Sequence, residues 1–266
     1  MTKNVRIQFM TEEINILLRF NKELHDLVDT KLQLDITDGD NKAFFTAFAT
    51  GKAFKTYEAI GVLCQNGYGE DAFMLARTLF ELMVNTAYIL QDTTEDRLIR
   101  YASHDWITRK QMYDYIVSND SLLAGLNKEI ESSSKPDTVA EVETEYKKVM
   151  KKYKYQNGTW SDKSIKGMSE SIGRLDTYNT VYRLQCTLGH TNARSINEYV
   201  SVTEEGTILN IGPNWNLVKN TLVISFDCFF HITQEASSKF GWSLENTLEK
   251  MSKEWAEEVG KFNHGK

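Results

Sequence analysis

The sequence predicts an all-α fold: an antiparallel bundle of about eight or nine helices, with one small β-hairpin near residues 200–211. Apolar residues recur at three- and four-residue spacing through most of the chain, which is the period of an amphipathic helix. Only two prolines, Pro136 and Pro213, occur in 266 residues. Because no Gly/Ser-rich stretch has the composition of a linker, we expect one helical domain over residues 1–266.

Cap and turn residues mark the ends of several predicted helices. The Thr37–Asp40 turn supplies an N-cap for the second helix, and Pro136 opens a charged helix that we expect to face solvent. The run 200–211 contains Glu205-Gly206, a turn signal between two short β-type stretches, and it therefore predicts the hairpin. The predicted helices cover approximately residues 5–29, 40–64, 70–91, 94–117, 122–131, 137–155, 168–188 with a continuation over 193–199, 215–240 and 244–262.

The composition argues against several classes of protein. A formal net charge of −6 with 26% charged residues gives no overall attraction to nucleic acid, so we expect no DNA partner. Three separated cysteines without a CxxC pair indicate neither a disulfide framework nor a zinc site, and no metal or cofactor is predicted. The start of the chain lacks the apolar core of a signal peptide, and the most apolar stretch, 221–232, is too short to span a bilayer. We therefore expect a cytoplasmic protein without a membrane partner.

The third predicted helix, 70–91, is apolar on nearly all sides, so we expect it to be central. Leu79, Phe80 and Met83 should then be nearly inaccessible to solvent. Aromatic side chains at helical spacing on the second helix are also predicted to be core residues rather than a base-stacking platform. These aromatic residues are Phe44, Phe45, Phe48 and Phe54.

Arg77, Glu81 and Asn85 form a narrow polar stripe on this apolar helix, because residues four apart lie on one helical face. A charged pair inside a bundle must be compensated, since an unpaired buried charge costs several kcal/mol. Two interpretations are open. The stripe either faces water or forms a structural ion pair, or it lines a pocket and binds a ligand.

Arg183 and His190 are the second feature that could carry chemistry. They are seven positions apart, so a helix brings both side chains to about the same face. An Arg followed by a His after four to six intervening residues is typical of HEPN-type ribonucleases. In that chemistry, which needs no metal, His deprotonates a ribose 2′-OH and Arg stabilises the negative phosphate.

Other Arg/His pairs in this chain also have a matching spacing, so the spacing alone does not select a site. Arg19 and His25 point to different sides of a helix, and Arg97 lies in a charged first turn that we expect to be solvated. Arg183 and His190 are favoured because they lie at the end of an apolar helix, where the backbone positions the His. The alternative is a structural His that caps the end of the helix.

Two segments, RTLFELMVNTAYIL (77–90) and YRLQCTLGHTNARSI (182–196), resemble a widespread bacterial helical family of unknown function over residues 40–235. Members of that family have Arg-x-x-x-Glu on a central apolar helix and a later Tyr-rich helix that ends in His. The family in turn resembles HEPN proteins, many of which are toxins or antiviral effectors. Gly189, directly before His190, departs from the HEPN motif, which is helical throughout. The polar positions that the resemblance implies are Arg77, Glu81, Tyr182 and His190.

Two functions are consistent with these residues. In the first, the protein is a homodimeric, metal-independent ribonuclease that acts on RNA, with His190 as acid/base, Arg183 or Arg77 stabilising the phosphate, and Glu81 orienting an Arg. In the second, it is a non-enzymatic helical sensor or binding module. Its Arg/Glu/His cluster would then hold helices in register or bind a small anionic ligand. The further residues expected to contact the ligand are Tyr182 and Asn85.

Overall fold

The computed structural model describes residues 10–34, 36–132, 139–153, 159–189, 193–204, 206–209 and 211–264. Within these ranges the protein consists of helices and a two-stranded antiparallel sheet, which confirms the all-α prediction. The helices are α1 (Glu12–Asp29), α2 (Asn41–Gln65), α3 (Gly69–Leu90), α4 (Asp96–Ser103), α5 (Asp105–Val117), α6 (Asp120–Ser132), α7 (Val139–Lys152), α8 (Ile165–Ser171), α9 (Leu175–Thr177), α10 (Arg183–Gly189), α11 (Ile196–Tyr199), α12 (Val218–Phe240) and α13 (Glu245–His264).

Three smaller elements lie in the second half of the chain. A π-helical turn, Tyr178–Tyr182, joins α9 to α10, and a 3-10 turn, Ala193–Ser195, precedes α11. The strands β1 (Val200–Thr203) and β2 (Gly206–Leu209) pair in antiparallel register as the hairpin predicted near 200–211.

The chain divides into two compact units, each with its own apolar core. Unit 1 comprises Met1–Tyr88 and Ile165–Lys266, and unit 2 comprises Ile89–Ser164. The expectation of one domain over residues 1–266 stays a prediction.

The core of unit 1 forms around α12, which packs mainly against α2 and α1. Leu222, Phe229 and Ile232 of α12 are buried, and α1 contributes Leu17 and Leu24 to the same core. The spacing of three or seven residues between these side chains explains the packing, because it places them on one face of each helix.

Side-chain caps fix where the first two helices begin. The Thr11 hydroxyl accepts a hydrogen bond from the backbone N–H of Ile14, so α1 begins at Glu12. Residues 5–9 of the helix predicted over 5–29 lie outside the described residues. The Asp40 carboxylate accepts from the N–H of Ala43, as the Thr-Asp-Gly-Asp turn predicts for α2.

α3 begins where the chain passes very close to α12. A Cβ at Gly69 would lie 1.9 Å from the carbonyl oxygen of Asn216, so only glycine fits there. From that point the helix enters the core, and Leu79, Phe80 and Met83 are buried as predicted. By length and composition α3 could also cross a membrane, with a mean hydropathy of 1.3, but 56% of that window is buried inside the protein. A buried core helix passes the same test, and the cytoplasmic location stays a prediction.

Unit 2 has a small core between α5 and α7. Ile107, Val149 and Tyr153 are buried there, and Trp106 and Tyr146 pack against them. The rest of α7 is charged and largely exposed, as its Glu- and Lys-rich sequence predicts.

Two predicted helices are interrupted in the structure. The helix predicted over 94–117 is two helices, because the chain turns at His104 between α4 and α5. The helix predicted over 168–188 breaks after α8, where Gly173 has a φ of +73° that a continuing α-helix does not adopt.

The prediction for the aromatic residues of α2 is wrong at two positions. Phe45 is buried, whereas Phe44 and Phe48 are 68% and 46% exposed. The buried face of α2 is occupied by residues such as Phe45 and Ala49, and a helical rotation of about 100° per residue turns Phe44 and Phe48 away from it.

Candidate functional site

Arg77 and Glu81 form an ion pair at a partly exposed position of α3. The Nε–H of Arg77 donates a hydrogen bond to Oε1 of Glu81 over 3.1 Å, and the two side chains are 29% and 34% exposed. The pair crosses one turn of the helix, as the polar stripe in the sequence predicts. It is therefore neither fully solvated nor sealed in the core.

Tyr182 adds a third side chain from a distant part of the sequence. Its hydroxyl donates a 2.7 Å hydrogen bond to Oε1 of Glu81, the same oxygen that accepts from Arg77. The guanidinium carbon of Arg77 lies 5.4 Å from the centre of the Tyr182 ring, within cation–π distance. We refer to Arg77, Glu81 and Tyr182 as the Arg77 cluster.

Packing around the Tyr182 ring explains why its hydroxyl reaches α3. The ring packs on Phe80 with the ring centres 5.3 Å apart, and it stacks on Tyr178 at 5.0 Å. Only 7% of Tyr182 is exposed. The residue ends the π-helical turn, and such turns occur often at functional sites. The packed ring therefore fixes the Tyr182 hydroxyl within hydrogen-bond distance of Glu81.

The electrostatics of the cluster fix the protonation states of two of its members. Burial and the hydrogen bond to Glu81 raise the pKa of Tyr182 well above its ordinary value. The phenol is therefore a hydrogen-bond donor at neutral pH, not a base. Burial by itself lowers the pKa of Arg77, but Tyr182, Cys186 and Glu81 together raise it by more, so the guanidinium keeps its charge.

The other predicted site residues are not all part of this cluster. Asn85 lies one turn further along α3 and is partly buried. Arg183 follows Tyr182 directly and is exposed, and its side chain makes no hydrogen bond or ion pair with the residues that the structure describes. His190, the predicted acid/base, lies outside the described residues. The meeting of Arg183 and His190 therefore stays a prediction.

Two residues that the sequence did not single out as site residues lie close to Tyr182. Cys186, one turn later, is partly exposed and near enough to affect the pKa of Arg77. Gln185 is fully buried, and within the described ranges neither its amide nitrogen nor its amide oxygen has a hydrogen-bond partner. The helical offset from Tyr182 could have pointed to Cys186, because residues four apart share a face. No pattern in the sequence predicts that Gln185 is buried beside Tyr182.

No resident metal site is evident in the part of the chain that the structure describes: no three His, Cys, Asp or Glu side chains there are grouped so that they could hold an ion. The cations near the Arg77 cluster are arginines, and their chemistry is binding and stabilisation of anions rather than coordination.

Comparison with known proteins gives one match. The model of a family described as a family of unknown function (DUF5677) matches residues 44–208, a range that includes every predicted site residue. No curated protein and no solved structure matches the chain. The resemblance to HEPN proteins stays a prediction. Since the family match covers more than half of the 266 residues, the chain belongs to this family of unknown function.

Proposed function

We propose that this member of the DUF5677 family is a metal-independent ribonuclease of a toxin or antiviral-defence type, active as a homodimer. The observation that supports the proposal best is the Arg77 cluster. A carboxylate and a phenol hold Arg77, while 29% of its side chain still reaches solvent. An arginine fixed in this way is preorganised to bind an oxyanion, because little of its side-chain freedom remains to be lost on binding.

The proposed reaction is an internal transesterification of RNA. A base removes the proton from a ribose 2′-OH, the 2′-oxygen attacks phosphorus, and the bond from phosphorus to the 5′-oxygen breaks as an acid protonates that oxygen. His190 is the proposed acid/base. Arg77 or Arg183 stabilises the negative charge that develops on the phosphate oxygens, and Glu81 keeps Arg77 oriented. The products are a 2′,3′-cyclic phosphate and a 5′-hydroxyl, and the reaction uses no metal or cofactor.

Cleavage of single-stranded RNAs by the purified protein, with a metal chelator present, tests this proposal. Wild-type protein should cleave, and His190→Ala should lower the rate by at least about 10²-fold because the proton-transfer group is lost. Arg183→Ala should also lower the rate. Arg109→Ala is the matched control, because Arg109 forms an exposed ion pair with Asp105 on α5 and has no proposed role.

Melting temperatures distinguish a catalytic from a structural role in the same set of variants. His190→Ala should melt close to wild type if His190 acts only in the reaction. Wild-type protein that leaves the RNAs intact contradicts the ribonuclease proposal, and so does a His190→Ala variant that cleaves at the wild-type rate.

A second function, a non-enzymatic sensor or binding module, is favoured by a different property of the same cluster. A single oxygen of Glu81 accepts hydrogen bonds from both Arg77 and Tyr182, which is how a polar cluster holds two helices in register. In that case neither the wild-type protein nor Glu81→Gln would cleave RNA, and Glu81→Gln would lower the melting temperature.

A further inference from the structure

A second polar cluster of unit 1 contains none of the predicted site residues. Asp227 and His231 lie one turn apart on α12, and Nη1 of Arg174, directly before α9, lies 3.2 Å from Oδ2 of Asp227. Both side chains of this ion pair are partly exposed. Three ionisable side chains therefore lie together, two of them on α12 and one from the turn before α9.

The backbone of Arg174 is fixed by the turn that ends α8. Gly173 adopts a φ of +73°, its N–H donates to the carbonyl oxygen of Glu170 over 3.1 Å, and the N–H of Arg174 donates to Ser169 over 2.7 Å. This pair of hydrogen bonds is the Schellman motif, which requires a left-handed residue at the position of the glycine. This hydrogen-bonded turn therefore fixes the backbone from which the Arg174 side chain reaches α12.

His231 has an environment that disfavours its protonation in the free protein. Burial lowers the pKa of the imidazole, the charge of Arg174 lowers it further, and Asp227 opposes these effects without overcoming them. Neither ring nitrogen makes a hydrogen bond with any residue that the structure describes. The next ionisable group along this face of α12 is Glu235, whose pKa is raised by burial.

The charges and donors of this cluster fit one singly charged oxyanion. Asp227 offsets the charge of Arg174, so protonation of His231 adds one positive charge to the three side chains. A guanidinium has five N–H donors, and the ion pair with Asp227 joins its Nη1 to Oδ2. An imidazolium adds N–H donors on both of its nitrogens. A phosphodiester supplies a single negative charge and two oxygens that accept hydrogen bonds.

We propose that Arg174 and His231 bind a backbone phosphodiester of single-stranded RNA, and that His231 takes up a proton when it does so. The same helical segment runs from Arg174 through Tyr178, which stacks on Tyr182 of the Arg77 cluster. The identity of the polymer as RNA rests on the proposed ribonuclease function. The contact itself requires no cleavage.

Binding of an RNA oligonucleotide with 2′-O-methyl riboses tests this proposal, because such RNA lacks the nucleophilic 2′-OH and stays intact. His231 should titrate at a higher pH in the complex than in the free protein, as followed by the NMR signal of its ring C–H. The ring C–H signal of His25, which stacks on Phe54 of α2, is the internal control and should not move when the oligonucleotide is added.

Two variants separate a binding site from an ion pair that only supports the fold. Arg174→Gln should weaken binding at least about fivefold and reduce the slope of log K against log salt by about 0.7, as expected for one lost phosphate contact on a single strand. Asp227→Asn should strengthen binding, because it removes the carboxylate that competes for Arg174. Arg19→Gln, which breaks an exposed ion pair on α1, is the matched control and should bind like wild type.

A purely structural pair gives a different pattern: both variants lower the melting temperature, and neither changes binding. The proposal is overturned if the titration of His231 does not move at saturating oligonucleotide, if Asp227→Asn binds as weakly as Arg174→Gln, or if the oligonucleotide does not bind. Intact binding together with no cleavage of ordinary RNA would overturn the ribonuclease proposal and leave this one standing.

Discussion

The Arg19–Glu23 pair on α1 and the Arg77–Glu81 pair on α3 can be compared closely, because both join residues four apart over 3.1 Å. Their surroundings differ. The side chains of the α1 pair are 56% and 45% exposed, against 29% and 34% on α3. Arg19 lies over Phe20, its neighbour in sequence, whereas Arg77 lies over Tyr182.

The difference shows what distinguishes a candidate site from ordinary surface chemistry in a helical protein. Exposed pairs at this spacing are common, and each contributes only about 0.3–0.5 kcal/mol. A hydroxyl that arrives from 101 residues away must be held there by the tertiary fold, so the Arg77 cluster cannot form in an isolated helix. The α3 pair therefore differs from the α1 pair in its contact with Tyr182 and in its lower exposure. The two pairs do not differ in ion-pair distance.

The largest expected effect is on the core beneath the Arg77 cluster. Phe80 is fully buried and packs against the Tyr182 ring, so Phe80→Ala should lower the free energy of unfolding by about 3–5 kcal/mol. Urea denaturation measures this loss. A loss below about 1 kcal/mol would mean that α3 is peripheral, and the contrast with the surface pair of α1 would then disappear.

A substitution at Gln185, close to Tyr182 in the sequence, should raise the free energy of unfolding instead of lowering it. Its buried amide has no hydrogen-bond partner within the described ranges, so Gln185→Met, which keeps the volume and removes the polar atoms, should raise stability by about 1–3 kcal/mol. The midpoint of urea denaturation should increase with an unchanged slope. A fall in the midpoint would show that the amide has a partner in solution.

Tyr182→Phe removes the hydroxyl that links α3 to the π-helical turn. It should lower stability at pH 7 by about 1–2 kcal/mol, because a hydrogen bond to a partly solvated carboxylate is lost. The folded protein holds the phenolic proton more tightly than the unfolded chain does, since the pKa of Tyr182 is raised. That contribution is complete below pH of about 10 and is lost as the pH rises further.

Stability measured between pH 8 and the alkaline range checks the Tyr182 prediction. Wild type should lose stability more steeply than Tyr182→Phe above the ordinary pKa of tyrosine, about 10. Parallel curves for the two proteins would mean that the phenol is already solvated in the folded state.

The smallest expected effect concerns the ion pair of α1. A double-mutant cycle with Arg19→Ala and Glu23→Ala should give a coupling energy of about 0.3–0.5 kcal/mol. The corresponding cycle for Arg77 and Glu81 should give more, because both side chains are less exposed. Equal coupling energies would show that the Arg77–Glu81 pair is no stronger than the exposed Arg19–Glu23 pair.

The parts of this site that the sequence predicts are those that depend on local spacing. The apolar pattern of α3 places Phe80 in the core, and the four-residue offset pairs Arg77 with Glu81. The position of Tyr182 was implied only by the family resemblance, since periodicity contains no information about which residues meet across 101 positions.

Prediction from the sequence is also wrong where one backbone angle changes the direction of the chain. The left-handed Gly173 ends α8 inside a segment that looks like one continuous helix, and it is this turn that aims Arg174 at Asp227. A glycine within a helical pattern has several conformations available, and tertiary packing selects among them. The ion pair of α12 was therefore not predicted, although Asp227 stands out in an apolar stretch.

The proposed ribonuclease function requires that the fold hold Arg77 where it can act on a phosphate, which is not expected of Arg19. RNA cleavage in the presence of chelator, compared between Arg77→Lys and Arg19→Lys, tests it most directly. Lysine keeps the positive charge and loses the planar fork of donors, so Arg77→Lys should lower kcat/KM by at least about 10-fold while Arg19→Lys retains wild-type activity. Both variants should melt near wild type. Equal cleavage by the two lysine variants would contradict this role of Arg77.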